Sequence, residues 1–376
     1  MKKTLVALAA VAATASFAQS SVTLTGNFDF AAVSKSGTLA RANGTTITTG
    51  TGTSSTSTIK ITATEDLGGG LKVTGLYEID PRTWADDALA ITHAGNTVTS
   101  SATTAAIAST MTGLTRGDAY IMLSGGMGSL QLGAFTTFGV AVTGLGSPLG
   151  TGVGSGYTFN GAANSGINSF VTTRSTGRSV KITSAAMNGF TVGVLHTPGN
   201  DQTLTSTSAT LSIPNARSLT EFHLSYSKGP LNLGYVNIAQ PSQTNATGWY
   251  ASGTGALAAS TNTNVYGGNY NVGNLTVYGA MYKGQALAAS TAPSEVAGWR
   301  GGVKYNMGKI DLIGQYTEVR TTATNAAEVK ASVTGARLDY NLSKTAAAYL
   351  GIDKHDSGAT SANQVDLVSV GLRKAF

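Results

Sequence analysis

The sequence predicts an all-β fold, a sixteen-stranded antiparallel transmembrane β-barrel, on three observations: apolar and polar residues alternate with period two, short glycine-rich turns alternate with long polar loops, and charge is scarce. Charged residues make up 11% of the 376, against about 25% in ordinary soluble domains. Such a surface needs a solvent other than water. Beyond the N-terminal stretch no apolar run approaches the roughly 18 residues of a membrane helix. A closed barrel is then the way to satisfy backbone groups in lipid. With 48 glycines, a secreted Gly/Thr-rich β-protein such as an adhesin is the alternative that composition leaves open.

The chain begins with Lys2 and Lys3, an apolar run from Leu5 to Ala13, and Ser16-Phe17-Ala18. This reads as a secretory signal peptide over 1–18, cleaved after Ala18, with the barrel over 19–376. Losing the two lysines lowers the formal charge from +6 to +4, a mild excess that calls for no nucleic-acid partner. There is no cysteine, so an exported barrel must be held by its own ladder of backbone hydrogen bonds.

In the first strand Val22, Leu24, Gly26, Phe28 and Phe30 alternate with Thr23, Thr25, Asn27 and Asp29. A charged Asp29 is tolerable only on a water-filled inner side. Ile59, Ile61 and Ala63 then lead through Glu65-Asp66-Leu67-Gly68-Gly69-Gly70 into Leu71, Val73, Gly75 and Tyr77, a hairpin. The device recurs around Gly125-Gly126-Met127-Gly128, Met187-Asn188-Gly189, Lys228-Gly229-Pro230, Asn271-Val272-Gly273-Asn274, Asn306-Met307-Gly308-Lys309 and Asn341-Leu342-Ser343-Lys344. After the last of these comes an Ala-rich strand, Ala346 to Ile352, whose facing the alternation leaves open. The closing strand sets Val368, Val370, Leu372 and Lys374 against Ser369, Gly371, Arg373 and Ala375, and ends at Phe376. One strand, seven hairpins and one closing strand give sixteen. The polar stretches between them, near 35–56, 81–117, 136–176, 197–217, 239–263, 283–297, 320–329 and 354–363, read as long loops on one rim. Aromatic residues such as Tyr77, Tyr226, Tyr305 and Phe376 fall at strand ends, as interfacial girdles do.

Several motifs in order resemble the Gram-negative general porins, in particular the trimeric group of beta-proteobacteria. They are Gln19-Ser20-Ser21-Val22-Thr23-Leu24, Glu65 to Lys72, Leu123 to Leu130, Asn188 to Gly193 and Gly371 to Phe376. The resemblance implies a water-filled barrel, a homotrimer in a bilayer with lipopolysaccharide, and passive diffusion of small hydrophilic solutes and inorganic ions, with no cofactor. It also implies that the third long loop, about Thr136 to Thr176, folds inward as the eyelet. Where that family tends to carry eyelet arginines this chain has Thr58, Thr62 and Ala134, with Lys60 beside them on the inner parity.

Between Ala119 and Asn200 there is no Asp or Glu, while Arg174, Arg178 and Lys181 lie there. An acid-free third loop supplies no negative half to a transverse field. Lys60, Lys72, Lys181, Arg337 and Arg373 have inner parity, opposed by Glu78, Glu221 and Asp339, so the pore lining predicts a weak anion preference. Arg174 and Arg178 are the candidate constriction-loop residues. A substrate-specific channel remains an alternative.

Other chemistry finds little support. The four histidines, His93, His196, His223 and His355, lack zinc spacing, and His93, His196 and His355 read as lying in or beside loops. Glu221, His223 and Ser225 share a face, which evokes a barrel hydrolase, yet serine is abundant enough for coincidence. Gly150 to Gly154 lacks the glycine spacing and βαβ context of a phosphate loop. Asp86 and Asp87 read as an exposed loop rather than a calcium site.

Overall fold

The computed structural model describes residues 20–37, 44–49, 52–79, 117–155, 178–205, 210–216, 218–240, 261–286, 294–322, 328–356, 358 and 364–376. The strands in chain order are β1 (Ser21–Gly37), β2 (Gly44–Thr48), β3 (Thr58–Gly68), β4 (Leu71–Ile79), β5 (Ala119–Gly125) and β6 (Gly128–Ala134). There follow one helix, α1 (Phe138–Leu145), then β7 (Ser179–Ser184), β8 (Phe190–Thr197), β9 (Asn200–Thr205) and β10 (Thr210–Ala216). The remaining wall is β11 (Leu219–Lys228), β12 (Leu231–Gln240), β13 (Thr261–Val272), β14 (Leu275–Ala286) and β15 (Ser294–Met307). It ends with β16 (Ile310–Thr322), β17 (Val329–Asn341), β18 (Ala346–Asp356) and β19 (Gln364–Ala375).

Sixteen of these form the barrel, each antiparallel to its neighbours, and β19 closes it by pairing with β1 from Asn27↔Ala375 to Gly37↔Val365. Two further bonds finish the seam, Gly26 N to Phe376 O at 2.9 Å and Phe376 N to Gly26 O at 3.0 Å. Phe28 and Phe376 pack their rings 5.2 Å apart there. Inside what composition reads as plain loops, the described residues include, besides α1, further strands. The hairpin β9–β10 stands apart from the barrel, and β2 pairs with the distal half of β1.

The outer face carries the apolar half of the alternation, exposed because lipid is its solvent. Ile121, Ile182, Phe222, Val370 and Leu372 all exceed half exposure. Aromatic pairs Tyr235–Tyr266 and Trp299–Tyr316, 4.9 and 5.3 Å apart, sit on this face. No helix among the described residues is long and apolar enough to cross a membrane. The unresolved facing of β18 is settled by burial: Ala347, Tyr349, Gly351, Asp353 and His355 point inward, Leu350 and Ile352 outward. His355 therefore belongs to a strand and is fully buried, and His196 belongs to β8, outward, bonded to Thr220 Oγ1 at 2.9 Å. His93, Asp86 and Asp87 lie outside the described residues, as do the signal segment and Arg174.

The dry core lies inside the barrel, to one side. Phe135, Phe138, Val142, Leu195, Val236 and Val265 pack together there. A smaller cluster joins Ala31, Val33, Val153, Tyr349 and Leu367. Both exist because two chain segments leave the wall and lie against its inner face.

Candidate functional site

The first inward segment starts at Phe135 and is visible to Ser155; the second half of the predicted eyelet loop, 156–177, lies outside the described residues. Its helix α1 forms because Thr137 caps it, accepting from Val140 N at 3.3 Å, and Thr143 Oγ1 donates to Gly139 O at 2.7 Å. The helix carries no charged side chain, and Phe138 and Val142 turn to the wall.

The wall accommodates it through glycine. Gly234 and Gly267 are paired neighbours on β12 and β13, both inward and buried. A Cβ on Gly267 would collide with the backbone of Val142, and one on Gly234 with the side chains of Val142 and Leu145. Farther along, Gly302 lies under Pro148, Gly335 under Gly154, and Gly351 under Val153. These inward glycines form a track that lets the segment follow the wall from β12 to β18 at backbone contact distance.

Polar groups fix the segment along that track. Glu221 Oε2, on β11, accepts from Phe138 N at 2.7 Å and Gly139 N at 3.3 Å, satisfying helix-start donors. Asn269 Nδ2 donates to Leu145 O at 3.0 Å, and Arg300 Nη1 to Thr143 O at 3.4 Å. Ser147 Oγ donates to Gln315 Oε1 at 2.6 Å, while Gln315 Nε2 reaches Ser155 O at 3.3 Å. Gly154 N donates to Asp353 Oδ2 at 3.3 Å.

The second inward segment, residues 52–57, fills the step between β2 and β3. Along that edge β1 has no strand partner between Asn27 and Ala31. Ser57 Oγ takes the place of one, accepting from Asp29 N at 2.9 Å and donating to Asp29 O at 3.2 Å. The fully buried Asp29 carboxylate gathers Ser54 Oγ at 2.9 Å, Ser55 N at 2.7 Å, Ser55 Oγ at 3.0 Å and Tyr349 OH at 2.5 Å. Four donors on a desolvated carboxylate are what such burial requires. The segment meets the end of the first one through Val153 N to Thr53 O at 2.8 Å, and the wall through Ser369 Oγ to Gly52 O at 2.6 Å. The two segments thus form one continuous inner lining from β11 round to β1.

The predicted site residues distribute unevenly over this interior. Lys60 faces the lumen, 3.4 Å from Glu78 on the next strand; its side chain is 41% exposed and that of Glu78 only 4%. Lys72 is inward and exposed near the short-turn rim. Lys181 lies at the root of the helix, donating to Thr136 O at 3.1 Å, with its Nζ 4.6 Å from the Phe138 ring centroid. Arg337 is inward but not open to the lumen: it is 8% exposed, forks onto Asp339 at 2.8 and 3.1 Å, and donates to Ser54 O at 3.3 Å. Its side of the wall is the one its parity predicts, and residues 52–57 cover it. Arg373 reaches Ser54 Oγ at 3.5 Å. Arg178 immediately precedes β7 and is exposed.

Glu221 and His223 do share a face, but the carboxylate holds the helix and the imidazole stacks on Phe138 at 4.4 Å and 3°. Asp29 is inward as its parity predicts, yet buried under residues 52–57 and not in water, while Asn269, Gln315 and Asp353 carry no mark of their own in the sequence. The available signal is the run of inward-parity glycines on β12, β13, β15, β17 and β18, together with inward apolar Val236 and Ile238 on a strand whose outer face is already apolar.

The sequence model of the Gram-negative porins matches residues 4–360. No curated protein sequence matches the chain significantly. Among solved structures, an anion-selective porin from Comamonas acidovorans is similar, 19% identical with a TM-score of 0.67 over 95% of this chain and 100% of that one. The trimer form of OmpT, an outer membrane protein of Vibrio cholerae, is 13% identical, with a TM-score of 0.63 over 95% and 99% of the two chains. The outer membrane channel DcaP of Acinetobacter baumannii is 12% identical, with 0.63 over 95% and 97%. At such identities the likeness carries the fold. The family match over nearly the whole sequence carries more: the chain belongs to the Gram-negative porin family and is an outer-membrane diffusion channel.

Proposed function

We propose that this channel passes small hydrophilic solutes and inorganic ions with a weak preference for anions, and that it works as a homotrimer after cleavage of the signal peptide behind Ala18. One observation carries the preference. Among the described residues the helix turns the small, uncharged Ala141 and Gly144 most fully to the lumen, whereas Lys60 and Lys72 lie on the wall it leaves uncovered and Lys181 at its root. A constriction with one neutral side and one basic side favours anions, though weakly, because Glu78 stands against Lys60. The relative from Comamonas acidovorans is described as anion-selective, in keeping with this reading. Purified protein in a planar bilayer under a potassium chloride gradient should give a reversal potential displaced toward the chloride equilibrium value. Displacement toward potassium overturns the preference.

The trimer reading rests on the outer face at closure, where Gly26, Ala32 and Ala63 present small side chains beside Val368 and Val370. A bilayer with lipopolysaccharide is the expected surround. Native electrophoresis before and after heating should show a large species collapsing to a monomer; a monomer at both temperatures contradicts the seam.

A further inference from the structure

A recess of about 390 Å³ opens on the inner face near the short-turn rim, between residues 55–56, the β17–β18 turn and the end of β19. It exists because residues 52–57 leave the wall, and its lining holds two cations, Arg373 and Lys344, and no carboxylate. The other inward cations nearby are matched: Arg337 sits on Asp339, and Lys304 lies 3.1 Å from Asp311. Arg373 has no carboxylate within 4.0 Å among the described residues, and it reaches Ser54 Oγ only at 3.5 Å. Lys344 likewise has no carboxylate that close among the described residues.

The nearest acids are occupied elsewhere. Asp29 stands opposite Arg373 in the β1–β19 register, but its oxygens collect the serine and tyrosine donors described above. Asp311 takes Asn306 Nδ2 at 2.6 Å, Asn341 Nδ2 at 3.3 Å and Lys304. The hydroxyls at the turn are already used as acceptors: Ser343 Oγ accepts from Thr345 N at 3.2 Å and Thr345 Oγ1 from Lys374 Nζ at 2.5 Å. Their own protons are thereby left to point at something that accepts. A guanidinium, an ammonium and two hydroxyl donors around one recess are the complement of a compact polyatomic oxyanion.

We infer that this recess is an anion subsite at the short-turn end of the channel, holding one small oxyanion of the size of inorganic phosphate between Arg373 and Lys344. The inference deepens the anion-preferring reading and rests on it for its access route through the lumen. Its test uses inorganic phosphate and the full-length protein in two formats. In single channels bathed in chloride, phosphate added from one side of the bilayer should reduce the current saturably, and from the other side less so. In detergent, phosphorus NMR line broadening should report the same binding without any channel. Arg373→Gln and Lys344→Gln should each weaken both readouts about tenfold, the worth of one charge-assisted contact. Arg373→Lys should retain part of the affinity. Lys344 lies in an exposed turn, so its variant folds regardless, and heat-modifiable migration confirms the others. Equal phosphate affinity in all variants overturns the subsite, as does binding that saturates at neither side nor in detergent. A reversal potential favouring potassium, with intact Arg373-dependent binding, would instead remove the anion preference and leave the subsite standing.

Discussion

From β11 to β18 the inner face is roofed by residues 135–155 and 52–57, and Val236, Val265, Arg300, Thr317 and Asp353 beneath the roof are buried. From β3 to β6, which those two segments leave uncovered, the same inward parity points Lys60, Thr62, Thr74 and Gln131 into the barrel, part exposed. Both halves are strands of alternating residues, yet they obey different chemistry. Under the roof each charge has its partner within the protein, as Arg337 has Asp339 and Glu221 has the helix donors. On the uncovered half Lys60 stays part exposed beside a buried Glu78, and the pair sets the local potential. Among the described residues, a permeating ion therefore meets the uncovered half and the neutral outer side of the helix.

The sharpest way to break this contrast is to place one bulky side chain on each half. Gly267→Leu puts atoms where the Val142 carbonyl now lies, and the helix must lift off the wall. Exposing fully buried Val142 alone forfeits about 1.5–3 kcal/mol of burial. Conductance should rise and the segment should become protease-sensitive. Thr62→Leu, inward on β3 and away from residues 135–155 and 52–57, should instead lower conductance with no change in proteolysis. Two changes to leucine with opposite signs in single-channel current would establish the asymmetry; the same sign for both would refute it.

A smaller effect comes from the helix anchor. Glu221→Ala leaves Phe138 N and Gly139 N buried without their acceptor, a cost of about 1–3 kcal/mol. The segment should then open transiently, visible as added current noise and a lower unfolding temperature. Glu221→Gln keeps a carbonyl oxygen in place and should recover most of the quiet behaviour. If alanine and glutamine behave alike, the bond to the helix start is not what holds the segment.

The wall was legible in the sequence because period two survives wherever one face meets lipid. The hairpin turns, the closing strand and the sixteen-strand count all follow from it. The lining was less legible, since lying flat on a wall leaves no periodic signature of its own. Its traces are indirect: inward glycines in register on β12 and β13, and inward Val236 and Ile238 where a watery lumen would call for polar residues. The step at residues 52–57 was hidden for a different reason. Its serines and threonines look like any exposed loop, and only Asp29, placed where β1 lacks a strand partner, shows why they turn inward. Arg337 illustrates the consequence, having the right parity but a covered position.

The smallest predicted effect is electrostatic and lies on the uncovered half. Lys60→Gln removes the cation 3.4 Å from Glu78 and leaves the carboxylate in place. The wall changes by one unit of charge within reach of passing ions. The reversal potential should move toward potassium, more at low salt than at about 0.1 M, where the Debye length is roughly 10 Å. Glu78→Gln, which frees the lysine, should move it the opposite way. The double variant restores the net charge of the pair, so it should return close to the starting value, with conductance nearly constant throughout because the pair holds no part of the roof. Were the double variant to differ from the native channel as much as either single one, the effect would come from shape at this wall and not from its charge.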